Sequence, residues 1–172
     1  MLLYSIPRIT QEAGGLRIFD MLPLGYTYEY AYQFLLRLSE KGYELYTHVQ
    51  LPLDILYPSL FGLTGICTIV LLIRLYARVN PRSKLSVDST LSRTLLLVPI
   101  VAIFADYMEN LFICAMLSFR SAVPQSLVYA SNLFTLIKSL STTVFYMIVL
   151  IAGICILAIW IGQLVKKGQV EG

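Results

Sequence analysis

The amino-acid sequence predicts an all-α fold, a polytopic membrane helix bundle of three transmembrane helices behind an amphipathic, tyrosine-rich helical segment. Composition is the first reason, because 58% of the residues are hydrophobic and only 13% are charged, whereas soluble domains are about 45–50% apolar and about 25% charged. The second reason is that three apolar runs each reach the length of about 20 residues that crosses a bilayer. The net charge of +3 comes without a long basic run, so we expect no nucleic-acid partner.

The first segment, residues 1–50, is predicted to be a helical region at the extracytoplasmic surface rather than a span. It holds seven of the twelve tyrosines, and tyrosine favours the boundary between water and lipid. Thr27 is expected to cap a helix that ends near Lys41, with Gly42 just beyond its end. A second helix from about Tyr43 is expected to run directly into the first span.

The second segment, residues 51–172, is predicted to be the transmembrane bundle. Its three spans are expected at about residues 52–76, 94–118 and 139–165. The last helix is expected to start as early as residue 125, because no helix breaker follows Pro124. Pro99, inside the second span, is compatible with a membrane helix because neighbouring groups can satisfy the freed carbonyl.

The distribution of Lys and Arg predicts a cell (inner) membrane protein with its C-terminus on the cytoplasmic side. Most of the cations outside the first segment lie in the loop 77–93 and in the tail, at Arg78, Arg82, Lys84, Arg93, Lys166 and Lys167. The short loop near residues 119–126 carries only Arg120. We therefore expect the loop 77–93 to be cytoplasmic and residues 1–50 to be extracytoplasmic.

Two acids and an amide, Asp106, Glu109 and Asn110, interrupt the second apolar span. A charge at the centre of a bilayer costs about 2.5–3.5 kcal/mol on insertion scales, so these side chains should avoid lipid. Their spacing of i, i+3 and i+4 places them on one helix face, which should point to the bundle interior. Lys138 is the expected partner, because its depth in the last helix matches theirs to within a turn.

A polar cluster in the outer half of the bilayer is therefore predicted. Its members are Asp54, Tyr57, Asp106, Glu109, Asn110, Thr135 and Lys138. Because carboxyl groups outnumber the single ammonium, we expect a protonated acid, entering water or a bound cation. The three cysteines lie far apart in apolar runs, and the chain has no zinc-ligand or phosphate-loop motif. The sequence therefore predicts neither a metal nor a cofactor.

Four short motifs from about Gly14 onward resemble those of a group of uncharacterised bacterial integral membrane proteins with four helices. The motifs are a GY stretch with Asp20, Gly25 and Tyr26, an lplDxxΦP helix start at Asp54 and Pro58, DxxEN at Asp106, Glu109 and Asn110, and TxxK at Thr135 and Lys138. The resemblance implies the architecture but no activity. It also implies a transmembrane helix before the Gly-Gly stretch, so that this chain would have three spans and a longer form four.

Three functions remain open from the sequence. The first is a non-enzymatic bundle whose cluster is a structural lock or a small binding site, with membrane lipids, a membrane protein or a second copy as partner. The second is a membrane enzyme for a lipid or isoprenoid-like substrate, with Asp106 or Glu109 as acid/base and Lys138 stabilising negative charge. The third is a proton or cation carrier, against which the inner halves of the spans argue because they hold no acid.

Overall fold

A computed structural model describes residues 3–83 and 85–170, and every regular element in that part of the chain is helical. The α-helices are α1 Ser5–Glu12, α2 Tyr28–Arg37, α3 Glu40–Leu45, α4 Leu51–Val79, α5 Thr90–Phe119 and α6 Gln125–Val170. A π-helical turn, Tyr46–Gln50, joins α3 to α4, and short 3₁₀ turns occupy Phe19–Met21 and Arg120–Ala122. The all-α prediction is confirmed for these residues. Lys84 and the side chain of Lys167, two of the predicted cytoplasmic cations, lie outside the described part.

Three helices are long and apolar enough to cross a membrane: Glu40–Val79, Thr90–Ala122 and Gln125–Lys166. Their 40, 33 and 42 residues correspond to about 60, 50 and 63 Å at about 1.5 Å per residue. Since the hydrocarbon layer is about 30 Å thick, each helix is longer than the layer that it would cross. The prediction of three helices of membrane length is confirmed, and the last of them starts at Gln125.

Small residues let α4 pack closely against α5. A Cβ atom added to Gly62 would lie 1.9 Å from Cδ1 of Ile103, and one added to Gly65 would lie 3.2 Å from Cβ of Pro99. Pro99 is buried inside α5, where its missing N–H is tolerated in a helix surrounded by others. On the other side, the ring of Phe61 packs edge-on against Phe145 of α6, with centroids 5.5 Å apart.

Residues 3–50, called the cap below, pack on one end of the bundle. Phe19 and Phe34 lie with their ring centroids 4.8 Å apart, and Tyr46 packs edge-on against Phe34 at 6.1 Å. These rings share one buried apolar core with side chains from the same end of α5 and α6, namely Ile113, Met116, Leu117 and Val128. The other end of the bundle, which carries the connection between α4 and α5, is called the loop end.

The start of α2 follows the prediction, but its end does not. The hydroxyl of Thr27 accepts a hydrogen bond from the backbone N–H of Tyr30, which caps α2 as expected. The helix ends at Arg37 rather than near Lys41, because the hydroxyl of Ser39 caps the next helix.

The expected role of Gly42 as the residue beyond the end of α2 was wrong. Gly42 is buried inside α3, and a Cβ atom there would lie 2.7 Å from Cβ of Glu12 in α1. Its lack of a side chain therefore allows α1 and α3 to approach. The continuous helix that leads into α4 begins at Glu40, before the expected start at Tyr43.

Candidate functional site

Lys138 of α6 is the centre of the polar cluster. Its Nζ atom lies 2.5 Å from Oε2 of Glu109, 3.2 Å from Oδ1 of Asp106 and 3.5 Å from Oδ1 of Asp20. Two of these carboxyl groups come from α5 and the third from the 3₁₀ turn of the cap. The Glu109 side chain is 0% exposed, whereas that of Lys138 is 21% exposed. One ammonium thus joins α5, α6 and the cap.

Thr135 holds the other oxygen of Glu109. Its hydroxyl lies one helical turn from Lys138 and donates a 2.6 Å hydrogen bond to Oε1 of Glu109. Glu109 is thus held by two residues of α6. This is the geometry that the TxxK and DxxEN spacings predict when two helices face each other.

A second branch of the cluster runs through Asp54 at the start of α4. Both carboxylate oxygens of Asp54 accept from Nε2 of Gln50 at 2.9 Å, and the hydroxyl of Ser5 donates to Oε1 of Gln50 at 2.6 Å. Nδ2 of Asn110 donates to the backbone carbonyl of Asp54 at 3.1 Å and to Oδ1 of Asp106 at 3.2 Å. Among the described residues, the carboxylate of Asp54 is therefore hydrogen-bonded to an amide and contacts no ammonium group.

The GY stretch of the cap is fixed to α6. The backbone N–H of Tyr26 donates to Oδ1 of Asn132 at 2.7 Å, and the Tyr26 hydroxyl donates to Oγ of Ser131 at 2.7 Å. Gly25 has a φ of +82°, and a Cβ atom there would lie 2.3 Å from Oδ1 of Asn132. Burial raises the pKa of the Tyr26 phenol well above its ordinary range. The GY stretch is thus a docking loop with a neutral phenol against the last helix.

The π-helical turn brings Tyr46 to the cluster. The hydroxyl of this buried tyrosine donates to Oδ2 of Asp20 at 3.3 Å. Asp20 therefore bridges Tyr46 and Lys138 with its two carboxylate oxygens. Single π-turns inside α-helices often occur at functional sites, and in this one Tyr46 and Gln50 are both buried.

The structure brings together all but one of the predicted cluster residues through direct contacts. Asp54, Asp106, Glu109, Asn110, Thr135 and Lys138 form one network. Tyr57 lies beside it, 53% exposed, with its ring stacked on Phe61. Of the GY residues, Asp20 contacts Lys138 directly, while Gly25 and Tyr26 lie against the neighbouring turn of α6.

Sequence reasoning missed Gln50 and Tyr46 as members of the network. Their signal was their spacing from Asp54, because residues 46, 50 and 54 are each four apart and share a helix face. The expected helix from about Tyr43 already included both residues, but their common face with Asp54 was not considered. Ser5 lies in α1, for which the sequence carried no comparable signal.

A cleft of about 490 Å³ opens beside the network. Its walls come from the cap, from α4, from α5 and from α6, and they consist of Ile6, Asp20, Met21, Gln50, Asp54, Tyr57, Asp106 and Lys138. Tyr57 and Met21 are partly exposed, so the cleft presents apolar surface beside its charged wall.

The charges of the cluster do not balance among the described residues. Four carboxyl groups, those of Asp20, Asp54, Asp106 and Glu109, surround the single ammonium of Lys138. Carboxylate oxygens of Asp20, Asp106 and Glu109 lie within 4.8 Å of one another, which is a donor set that suits a cation. The ammonium of Lys138 already contacts all three.

The chain matches no protein-family model, no curated protein and no solved structure in the comparisons with known proteins. What the protein does is therefore inferred from the contacts and charges of the cluster.

Proposed function

We propose that the chain is a multi-pass cell-membrane protein in which the Lys138 cluster has two roles. It fastens the cap to the bundle, and it forms the polar wall of a small binding site for an amphiphile in the outer half of the bilayer. The observation that carries both roles is that the ammonium of Lys138 contacts carboxyl groups from α5 and the cap and also lines the cleft.

The proposed orientation places the cap outside and the loop end in the cytoplasm. It is supported by the distribution of Lys and Arg along the sequence, with five in residues 1–50 and 119–126 but seven in residues 74–93 and in the tail, namely Arg74, Arg78, Arg82, Lys84, Arg93, Lys166 and Lys167. Such an excess marks the cytoplasmic side of a membrane protein. With this orientation, the cluster lies toward the extracytoplasmic side and the cap covers it.

The fastening role is supported by the burial of the ion contacts. Removing one member of a buried ion pair costs about 3–5 kcal/mol, because the partner is left charged and unpaired. Removal of Lys138 would leave Glu109 in that state, with a fully buried side chain. Removal of Lys138 would also remove its contact with Asp20, so that the cap would lose a contact to α6.

The binding role is supported by the excess of carboxyl groups on the wall of the cleft. Asp54 lines the cleft, and its carboxylate is held only by the Gln50 amide among the described hydrogen bonds. A ligand with an ammonium group would supply the missing positive charge. The partly exposed Tyr57 and Met21 offer apolar contacts for its tail. The ligand class that fits is therefore an amine-bearing amphiphile.

The test compares dodecylamine with dodecanol and dodecanoic acid as additives to the purified protein in a zwitterionic detergent. Ligand binding stabilises the folded state by mass action, so we expect dodecylamine to raise the Tm more than the two matched additives. Asp54→Asn should abolish that selectivity, whereas Glu44→Gln, which removes an exposed acid of the cap, should retain it. Equal responses to all three additives would refute the binding role.

An enzymatic role has one observation in its favour. Asp54 and Asp106 both line the cleft, where a carboxyl group can exchange a proton with a bound substrate. The structure makes Asp54 a better acid/base candidate than Glu109, which is fully buried between Lys138 and Thr135. Lys138 already contacts three carboxyl groups. Its ammonium is therefore less able to stabilise negative charge that develops on a substrate.

Lipid analysis distinguishes the enzyme from the binding protein. The purified protein is incubated with a total membrane lipid extract, and the lipids are compared by mass spectrometry with those incubated with Asp54→Asn. An enzyme for lipid or isoprenoid-like substrates would convert a lipid in the first sample only. A binding protein would leave both samples unchanged.

The role of a proton or cation carrier gains no support. The cavity between α4 and α6 at the loop end is lined by largely aliphatic side chains together with Tyr76, and none of these lining residues is a carboxylic acid.

A further inference from the structure

A second cavity lies between α4 and α6 toward the loop end, away from Lys138. Its volume is about 310 Å³, and its walls are almost entirely apolar. Ile69, Ile73 and Tyr76 line it from α4, and Ile151 and Cys155 line it from α6. Leu85, which follows the end of α4 in the connection to α5, closes one side. A cavity with such walls suits a hydrocarbon chain.

A basic cleft of about 520 Å³ follows farther toward the ends of the same two helices. It is lined by Arg82 and Lys166 together with Asn80 and Gln163, and no acid is among its described lining residues. Within the described chain, neither Arg82 nor Lys166 forms an ion pair. Among the residues that the structure describes, the cleft therefore presents two positive charges without an acidic partner.

The apolar cavity and the basic cleft follow one another along the same two helices, and together they are called the groove below. On α6 the lining residues follow one another at spacings of three or four, which places them on one face: Ile148, Ala152, Cys155, Ile159, Gly162 and Lys166. At the end of α4 the two sets of lining residues are in contact, because Nδ2 of Asn80 in the cleft donates a hydrogen bond of 3.4 Å to the hydroxyl of Tyr76 in the cavity.

The groove is long enough for one leaflet of a bilayer. From Ile148 to Lys166 the helix rises by about 27 Å, at about 1.5 Å per residue. Half of the hydrocarbon layer is about 15 Å, which leaves space for a headgroup at the level of Arg82 and Lys166. A lipid whose chain lies in the apolar cavity would thus place its phosphate between these two cations.

We propose that this groove binds one anionic phospholipid. Arginine and lysine attract phosphate by charge and by charge-assisted hydrogen bonds, and basic pockets between membrane helices on the cytoplasmic side bind anionic headgroups. Because the basic cleft lies next to the apolar cavity along the same helix faces, the ligand that fits both is a lipid rather than free phosphate. The inference rests on the proposed membrane location but not on the Lys138 cluster.

The experiment titrates the purified full-length chain in detergent with phosphatidylglycerol or phosphatidylcholine of identical acyl chains and measures bound lipid by native mass spectrometry. We expect about tenfold tighter binding of the anionic lipid, since each surface cation adds to the attraction. The double variant Arg82→Gln/Lys166→Gln should lose that preference. The matched control Arg8→Gln/Arg37→Gln removes the same charge from exposed positions of the cap and should keep it.

A second variant tests the acyl chain separately from the charges. Ala152→Phe would occupy part of the apolar cavity and should weaken the binding of both lipids, while Arg82 and Lys166 remain. Equal binding of the two lipids to the wild type, or an unchanged preference in the double variant, overturns the proposal. The proposal would also be overturned if inorganic phosphate stabilised the protein to the same extent as the anionic lipid. The dodecylamine response at Asp54 is independent of each of these results.

Discussion

The ammonium of Lys138 lies 2.5 Å from Oε2 of Glu109, and the Thr135 hydroxyl lies 2.6 Å from Oε1 of the same carboxyl group. Two residues of α6 thus enclose one fully buried side chain of α5. Asp20 adds the cap to this pair through its own contact with Lys138. These polar contacts therefore join the cap to the bundle in addition to the apolar core that the two share.

Replacement of Lys138 by methionine should destabilise the protein strongly. Lys138→Met keeps the length of the side chain but leaves Glu109 buried without its cation, which costs about 3–5 kcal/mol. The free energy of unfolding is measured by titration with a denaturing detergent. Lys41→Met, at a lysine whose side chain is 75% exposed, is the control and should change little. Similar losses for both variants would contradict the central role of Lys138.

Thr135→Val should cost about 0.6–2 kcal/mol, the range of hydrogen bonds between membrane helices. The variant removes the hydroxyl that reaches Glu109 but keeps the shape of the side chain. Thr143→Val is the matched control, because its hydroxyl bonds only to the backbone of its own helix at Ser139. Thr135→Ser should restore most of the loss. If Thr143→Val lowered the free energy of unfolding as much as Thr135→Val does, the contact of Thr135 with Glu109 would be unimportant for stability.

The two aspartates that line the cleft should respond differently to amidation. Asp106→Asn removes an ion contact with Lys138 and should lower the free energy of unfolding by about 1–3 kcal/mol. Asp54→Asn leaves Lys138 unaffected and should be close to neutral, because the described hydrogen-bond partner of the Asp54 carboxylate is the Gln50 amide. Parallel unfolding titrations of the two variants measure the difference. A larger loss for Asp54→Asn would mean that Asp54 has a structural cation partner.

Gly25→Ala should release the GY loop from α6. Both Gly25 and Gly15 have positive φ values, which cost an L-residue about 1–2 kcal/mol. Only at Gly25 would the added Cβ clash with Asn132, whereas nothing lies within 4 Å at Gly15. Gly15→Ala is therefore the control for backbone strain alone. Hydrogen exchange at Tyr26 should accelerate in Gly25→Ala only, and equal exchange in both variants would refute the docking role.

The contacts inside the bundle could be predicted because they follow from helix geometry. The spacing of Asp106, Glu109 and Asn110 fixes one face of α5, and residue counting along α6 places Lys138 at the matching depth. The cost of charge in lipid then leaves few alternatives to a direct contact between them. The structure has this contact.

The cap could be predicted only in part, because its contacts are between segments distant in sequence. Thr27 was recognised as a capping residue from local sequence, but Ser39 was not, so the end of α2 was misplaced. Gly42 was interpreted as a helix terminator, whereas its function is to allow α1 close to α3. The contact of Asp20 with Lys138 joins residues 118 positions apart, and no periodicity in the sequence specifies it.

A double-mutant cycle between Lys138→Met and Glu109→Gln measures the central contact most directly. Lys138→Met leaves the buried Glu109 without its cation, whereas Glu109→Gln removes the nearest of the three carboxyl groups that contact Lys138. The double variant removes both charges. The free energies of unfolding should therefore be non-additive, and the double variant should be more stable than the sum of the single losses by about 1–3 kcal/mol. Additive losses would contradict a direct contact between the ammonium of α6 and the carboxyl group of α5.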